Sequence, residues 1–245
     1  MEKFMLSSSF QSLPIEIFYY PGAEKDTPTL LLLKGLYGLH VPGSASWDTD
    51  FIQVCQGKFA VICVNTARKG GTPEHRSVKE AFEGKTFEQE CDDLEKAFEF
   101  LLASGKIPEG NFHILANSFG GTMLLGTPKV LERAVSVVMI GSGCGKSEST
   151  TKPLLQTLSE EEKLLSPLRE YAGIFAFVRG ANDTVVPKVS QNKIIASAES
   201  AKVSLVYTLP NANHDLSPTD EKLLHVNRTE FLLSVVSHAV KISRF

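Results

Sequence analysis

The run FHILANSFGG, residues 112–121, decides how this chain is read. Residues 112–117 form an apolar stretch of strand length, and it runs straight into Ala116-Asn117-Ser118-Phe119-Gly120. Gly121 then opens a segment compatible with a helix. This is the small-x-Ser-x-Gly form of a nucleophile elbow. Its composition has a steric origin. A serine on a sharp strand-to-helix turn sits in a strained backbone conformation, and the residues two before and two after it approach closely, so only Gly or Ala fits. The helix that follows points backbone N–H groups at developing negative charge. Ala116 stands where Gly is usual, and a tight turn with an incidental serine has the same five-residue pattern.

Outward from this run, mostly continuous apolar stretches recur at 30–34, 59–65, 134–140, 174–180 and 203–209. Such runs suit strands buried on both faces, as in a parallel sheet. Residues 15–20, with 4–7 before them, suit an antiparallel edge hairpin. Between the runs lie helical patterns. In the stretch 86–105, Phe87, Cys91, Leu94, Phe98 and Leu101 make one apolar stripe, Thr86 and Gln89 form a capping box, and Gly105 suits the C′ position. A last helix near 229–243 carries Phe231, Val235, Val236, Ala239 and Ile242 on one side. The alternation predicts an α/β fold, a doubly wound and mostly parallel sheet flanked by helices. Residues 144–172 break the rhythm. They read as an insertion over one end of the sheet, holding a helix with Ser159 and Glu162 as a second capping box and an interruption near Pro167.

An elbow serine needs a base to take its proton and an acid to orient that base. For this elbow the chain order is Ser, then Asp or Glu, then His. After Ser118, the strand IFAFVRG leads to Asp183, and the strand VSLVYTLP leads to His214. A turn-forming Asp183 and a solvated loop His214 are the bland alternatives for each residue singly. Three such residues in that order, each just past a separate strand, favour a catalytic set. His113 lies within the elbow strand, His238 on the last helix, His75 in a polar loop and His225 in a helical stretch. His40 is the rival base, but it precedes the serine. Asp215 is a weaker acid than Asp183, because neighbouring side chains point apart.

The run TLLLLKGLYGLH ends a buried strand in a glycine turn, Lys34-Gly35-Leu36-Tyr37-Gly38. Acyl transfer needs two N–H donors aimed at the oxyanion, each worth about 3 kcal/mol. The backbones of Leu36 and Phe119 are the candidates, against an ordinary glycine turn. A second glycine-rich stretch, Gly141 to Ser147, imitates a phosphate-binding loop. Its first glycine falls one residue late for that motif, so nucleotide binding is not expected.

Composition bounds the rest. The chain has 245 residues, 25 Lys+Arg against 28 Asp+Glu and a net charge of -3, which argues against a general nucleic-acid partner. A length of 245 fits one domain spanning 1–245. Cys55, Cys63, Cys91 and Cys144 form no CxxC pair, and no signal-peptide or membrane-length apolar run is present. The expectation is a soluble, cytoplasmic chain in a reducing compartment, in which the sequons at Asn182 and Asn227 mean little.

Taken together, the glycine turn after an early strand, VNTARKGGTP after the next, the TFEQECDDL helix, the elbow, Asp183 and His214 resemble the α/β-hydrolase superfamily over nearly the whole chain. The resemblance implies an eight-stranded, mostly parallel sheet, a serine nucleophile and a cap inserted after the sixth strand at about 144–172. Lys34, where many members have His, and Asn65, where an Asp is common, depart from the pattern. The expected activity is that of a serine hydrolase acting on a small acyl substrate, a carboxylic ester above all, with no metal or organic cofactor. A peptidase, thioesterase or acyltransferase using the same three residues stays open, as does a non-catalytic ligand-binding protein. Glu160, Glu161 and Glu162 either face water at a helix start or attract a cationic substrate group. Leu154, Leu155, Leu158, Leu164 and Leu165 suit either an acyl chain or core packing.

Overall fold

The computed structural model describes residues 1–36, 38–69, 78–146, 152–219 and 227–244. Readings that touch Tyr37, residues 70–73, His75, Ser147 and His225 lie outside the described residues. Eight strands form one sheet: β1 (Glu2–Ser7), β2 (Pro14–Tyr20), β3 (Thr29–Leu33), β4 (Ala60–Asn65), β5 (Phe112–Asn117), β6 (Ser136–Ile140), β7 (Ile174–Gly180) and β8 (Val203–Leu209). Their order across the sheet is β1-β2-β4-β3-β5-β6-β7-β8. β1 pairs antiparallel with β2, and β2 antiparallel with β4; every other pairing is parallel.

The sheet separates two apolar layers because alternate side chains of a strand point to opposite faces. In β3, Leu31 and Leu33 join one layer, and Leu30 and Leu32 the other. In β7, Phe175 and Phe177 face the first layer, and Ile174, Ala176 and Val178 the second. The second layer is covered by α1 (Trp47–Cys55) and α9 (Arg228–Ser243), through Phe51, Ile52, Leu232, Val235 and Val236. The first is covered by α3 (Phe87–Ala103), α4 (Phe119–Leu125), α5 (Pro128–Arg133), α7 (Glu161–Glu170) and α8 (Lys188–Ser197). The short α2 (Val78–Ala81) and α6 (Pro153–Gln156) complete the described helices.

Local chemistry sets the ends of these helices. Thr86 accepts from the Gln89 N–H while the Gln89 side chain accepts from the Thr86 N–H, so α3 starts on its capping box. At its other end Gly105 has φ +68; its N–H reaches the Leu102 carbonyl and the Lys106 N–H reaches Leu101. That is a Schellman stop. The side chain of Asn227 caps α9 by accepting from the N–H groups of Thr229 and Glu230.

The insertion departs from its reading in two respects. Glu160, not Ser159, is the N-cap of α7, no side chain caps it, and no Ser159–Glu162 box forms. Pro167 lies inside α7 without ending it. An interior proline costs roughly 3 kcal/mol. Burial of Leu164, Leu165 and Leu168 on either side of it offsets that cost at roughly 2 kcal/mol each. Leu154, Leu158, Leu164 and Leu165 belong to the first apolar layer, with Leu155 packed against it. They therefore fill core rather than line an open acyl channel. Glu160, Glu161 and Glu162 pair on the surface with Lys146, Lys193 and Arg169 respectively. Past β8, Pro218 forms an isolated bridge with Ala212, and residues 220–226 lie outside the described residues. Among the described residues, no helix is long and apolar enough to cross a membrane.

Candidate active site

Parallel strands deliver their C-terminal ends to one edge of the sheet, where ligands of open α/β sheets gather. β5, β7 and β8 bring Ser118, Asp183 and His214 to that edge. Ser118 has φ 53 and ψ -118, a left-handed conformation in which a residue with a Cβ is strained. Two contacts hold it there. The Ser118 N–H donates to the Ile140 carbonyl at 2.7 Å, and its own carbonyl accepts from the Gly121 N–H at 3.0 Å. The strand-helix turn is closely packed: a Cβ added to Gly121 would lie 2.0 Å from Ser142 Oγ.

His214 Nε2 lies 2.9 Å from Ser118 Oγ, and His214 Nδ1 lies 2.9 Å from Asp183 Oδ2. A proton on Nδ1 facing the carboxylate leaves Nε2 as the acceptor toward the serine. The remaining Asp183 oxygen accepts from two backbone donors, Val185 N–H at 2.8 Å and Val186 N–H at 3.1 Å. The glycine run that imitates a phosphate loop has a different use here. Gly141 has φ +52, and a Cβ on it would sit 3.2 Å from the His214 ring and 3.4 Å from Asp183 Oδ2. Its missing side chain leaves room for the imidazole and the carboxylate to meet.

Phe119 is the first residue of α4, so its N–H has no acceptor within the helix. The β3 turn lies against the serine, since a Cβ on Gly35 would stand 3.3 Å from Ser118 Cβ. Leu36, next along, is buried, and its carbonyl accepts from Arg68 Nη1 at 3.4 Å. Burial lowers the pKa of that guanidinium below its ordinary value.

The rival base is engaged elsewhere. His40 Nδ1 lies 2.6 Å from Asp48 Oδ2, and its Nε2 lies 2.7 Å from the Tyr20 hydroxyl. Lys34 Nζ joins the same network, donating to Asp48 Oδ1 at 2.7 Å and to the Leu39 carbonyl at 2.6 Å. Asn65 closes it, accepting from the His40 N–H and donating to the His40 carbonyl. Burial acts to raise the Asp48 carboxyl, but hydrogen bonds from His40 and Lys34 outweigh it and hold the group well below the usual carboxylate range. The Tyr20 phenol is pushed up to about 12, by burial first and then by Cys63 and Asp48. Lys34 and Asn65, both departures from the superfamily pattern, thus brace the turn that carries Leu36.

Two groups of polar residues had no signature in the sequence. Gln191, on α8, donates from Nε2 to Asp183 Oδ2 at 2.9 Å. Lys85 is fully buried and binds Glu90, Asp93 and the Ala67 carbonyl, while Thr66 and Ser8 hold the outer carboxylate oxygens. This second cluster ties α3 to the start of the chain. The four cysteines are free and buried, and burial raises each thiol. Among the described residues no group of three or more His, Cys, Asp or Glu is arranged to hold a metal ion.

No protein-family model matches the sequence, and no curated protein matches it. Solved structures do resemble it. Est1E from Butyrivibrio proteoclasticus is similar with a TM-score of 0.65 and 9% identity, over 98% of each chain. The esterase domain of a Rhodothermus marinus protein gives 0.65 and 16%, again over 98% of each chain. A puromycin-hydrolyzing peptidase of Mycobacterium tuberculosis gives 0.68 and 16%, over 99% of this chain and 38% of that one. With the strand order and the pairing directions, these likenesses give the architecture: this chain is built on the α/β-hydrolase fold.

Proposed function

We propose that this protein is a serine hydrolase that cleaves carboxylic esters or related small acyl compounds through an acyl-enzyme. Ser118 Oγ attacks the carbonyl carbon while His214 Nε2 takes the hydroxyl proton. Asp183 keeps the Nδ1 proton in place and stabilises the imidazolium. The carbonyl oxygen gains the negative charge, which the N–H groups of Leu36 and Phe119 receive. Collapse of the tetrahedral intermediate breaks the bond to the leaving group, which departs with the proton from Nε2. Water then repeats the sequence on the acyl-serine, delivering its proton to Nε2 and releasing the acid and free Ser118.

The observation that carries this reading is the unbroken contact chain from Ser118 Oγ through both ring nitrogens of His214 to Asp183, with two 2.9 Å links. The fold by itself hosts many chemistries, so the reading rests on the site. Esters, thioesters, amides and acyl acceptors all use the same three groups, and a substrate panel ranks them.

A fluorophosphonate probe and p-nitrophenyl acetate test the proposal. The unaltered protein takes up the probe and hydrolyses the ester. Ser118→Ala loses labelling and lowers kcat by roughly 10⁴-fold or more. Equal labelling of both proteins, or turnover surviving in Ser118→Ala, overturns the assignment of Ser118.

A further inference from the structure

We infer that Gln191 is a positioning residue for the proposed reaction, its side-chain amide fixing the Asp183 carboxylate against His214. The inference rests on the reading of Ser118, His214 and Asp183 given above. Gln191 sits on the first turn of α8 and is 1% exposed. Its Nε2 donates to two oxygens, Asp183 Oδ2 at 2.9 Å and the Val186 carbonyl at 3.1 Å. Val186 in turn donates its N–H to Asp183 Oδ1. Both carboxylate oxygens are thereby clamped to one loop and one helix. Oδ2 can rotate away from His214 only by breaking the Gln191 bond.

The orientation of the amide follows from its neighbours. Turning it over would set Oε1 against two oxygens, each an acceptor. The amide therefore keeps its NH2 on Asp183, and as a result Oε1 is buried without a hydrogen-bond partner. An unpaired buried acceptor costs free energy that packing alone does not require, since an aliphatic side chain of that size would avoid it. What the amide provides in return is a donor on the oxygen that faces the imidazole. Gly141 brings no side chain of its own to that oxygen, a Cβ there standing 3.4 Å from Oδ2. The titratable groups near this arrangement are His214 itself, Cys144 beside Ser190, and the Glu161–Lys193 pair at the surface.

The test uses the full chain with Gln191→Met, which keeps length and volume without the donor. Gln191→Asn keeps an amide but falls one methylene short of Asp183. Hydrolysis of p-nitrophenyl acetate is followed against substrate and pH, with thermal unfolding in parallel and Ser118→Ala as the control. The expected result for either variant is a fall in kcat of roughly 10- to 100-fold at little-changed KM. The rising limb of the pH profile also moves to higher pH, because an Asp183 oxygen freed of a donor stabilises the imidazolium more strongly. If Met fails to fold, Asn decides. Unaltered kcat, or a loss that follows the folded fraction with the limb unmoved, overturns the role of Gln191 while Ser118→Ala stays dead. Turnover surviving in Ser118→Ala instead removes the underlying reading, and the role of Gln191 with it.

Discussion

A Cβ added to Gly120 would lie 2.6 Å from the Leu33 carbonyl oxygen and 2.8 Å from that of Lys34. The helix that follows Ser118 therefore rests directly on the backbone of the neighbouring strand. Backbone atoms cannot rotate out of the way as a side chain can, so the contact leaves no slack.

Gly120→Ala is accordingly expected to destabilise the protein by about 1–3 kcal/mol through overpacking. The same displacement shifts Ser118 and the Phe119 N–H from their places. Urea unfolding measures the first effect and ester turnover of the folded fraction the second; kcat falls further than stability alone explains.

Lys34→Met removes the cation from a buried pair with Asp48, whose side chains are 9% and 0% exposed. A buried charge left without its partner costs about 3–5 kcal/mol, partly offset here by the His40 bond that remains. The variant also loses the tie from Lys34 Nζ to the Leu39 carbonyl. A lower urea midpoint is expected, with a larger loss in kcat than in KM if the turn carrying Leu36 loosens. An unchanged midpoint would mean that the network contributes nothing to folding.

His113 offers a pH test at the opposite end of the sheet. Its pKa is lowered from 6.5 to about 4, by burial first and by the Arg244 charge second. The folded state then binds fewer protons than the unfolded one. Stability from this group is full above about pH 6.5 and is lost as pH falls toward 4, up to about 3 kcal/mol. His113→Asn should flatten that part of the curve of urea midpoint against pH, relative to the unaltered protein.

Much of this structure could be read in the sequence where one physical cause acts alone. β5 and β7 fall on the residues expected for them, because a strand inside a parallel sheet is a mostly continuous apolar run with clear ends. β8 has the expected bounds but, as the edge strand, alternates half-buried and exposed residues instead of being buried on both faces. Thr86, Gln89 and Gly105 were legible because capping is local. Ser159 and Glu162 show the same spacing without forming a box, because α7 starts one residue later, at Glu160 as its cap. The buried charges were not legible at all. Glu90 and Asp93 fall among the acids of an amphipathic helix, and only the fold brings Lys85 beneath them. His40 looked like a competing base because its position after a glycine turn is visible, whereas its partners Asp48 and Tyr20 are set by packing. Gln191 has no pattern of its own, since a lone amide eight residues past an aspartate means nothing until a helix points it back.

Ser118, Asp183 and His214 each follow a different strand end, separated along the chain by 96 residues for one contact and 31 for the other. No fragment short of β8 holds all three. Turnover of an ester would therefore serve as a thermometer for the whole sheet: a heated or truncated preparation should stop working when its last strand peels away, while helical spectroscopic signals still look nearly intact.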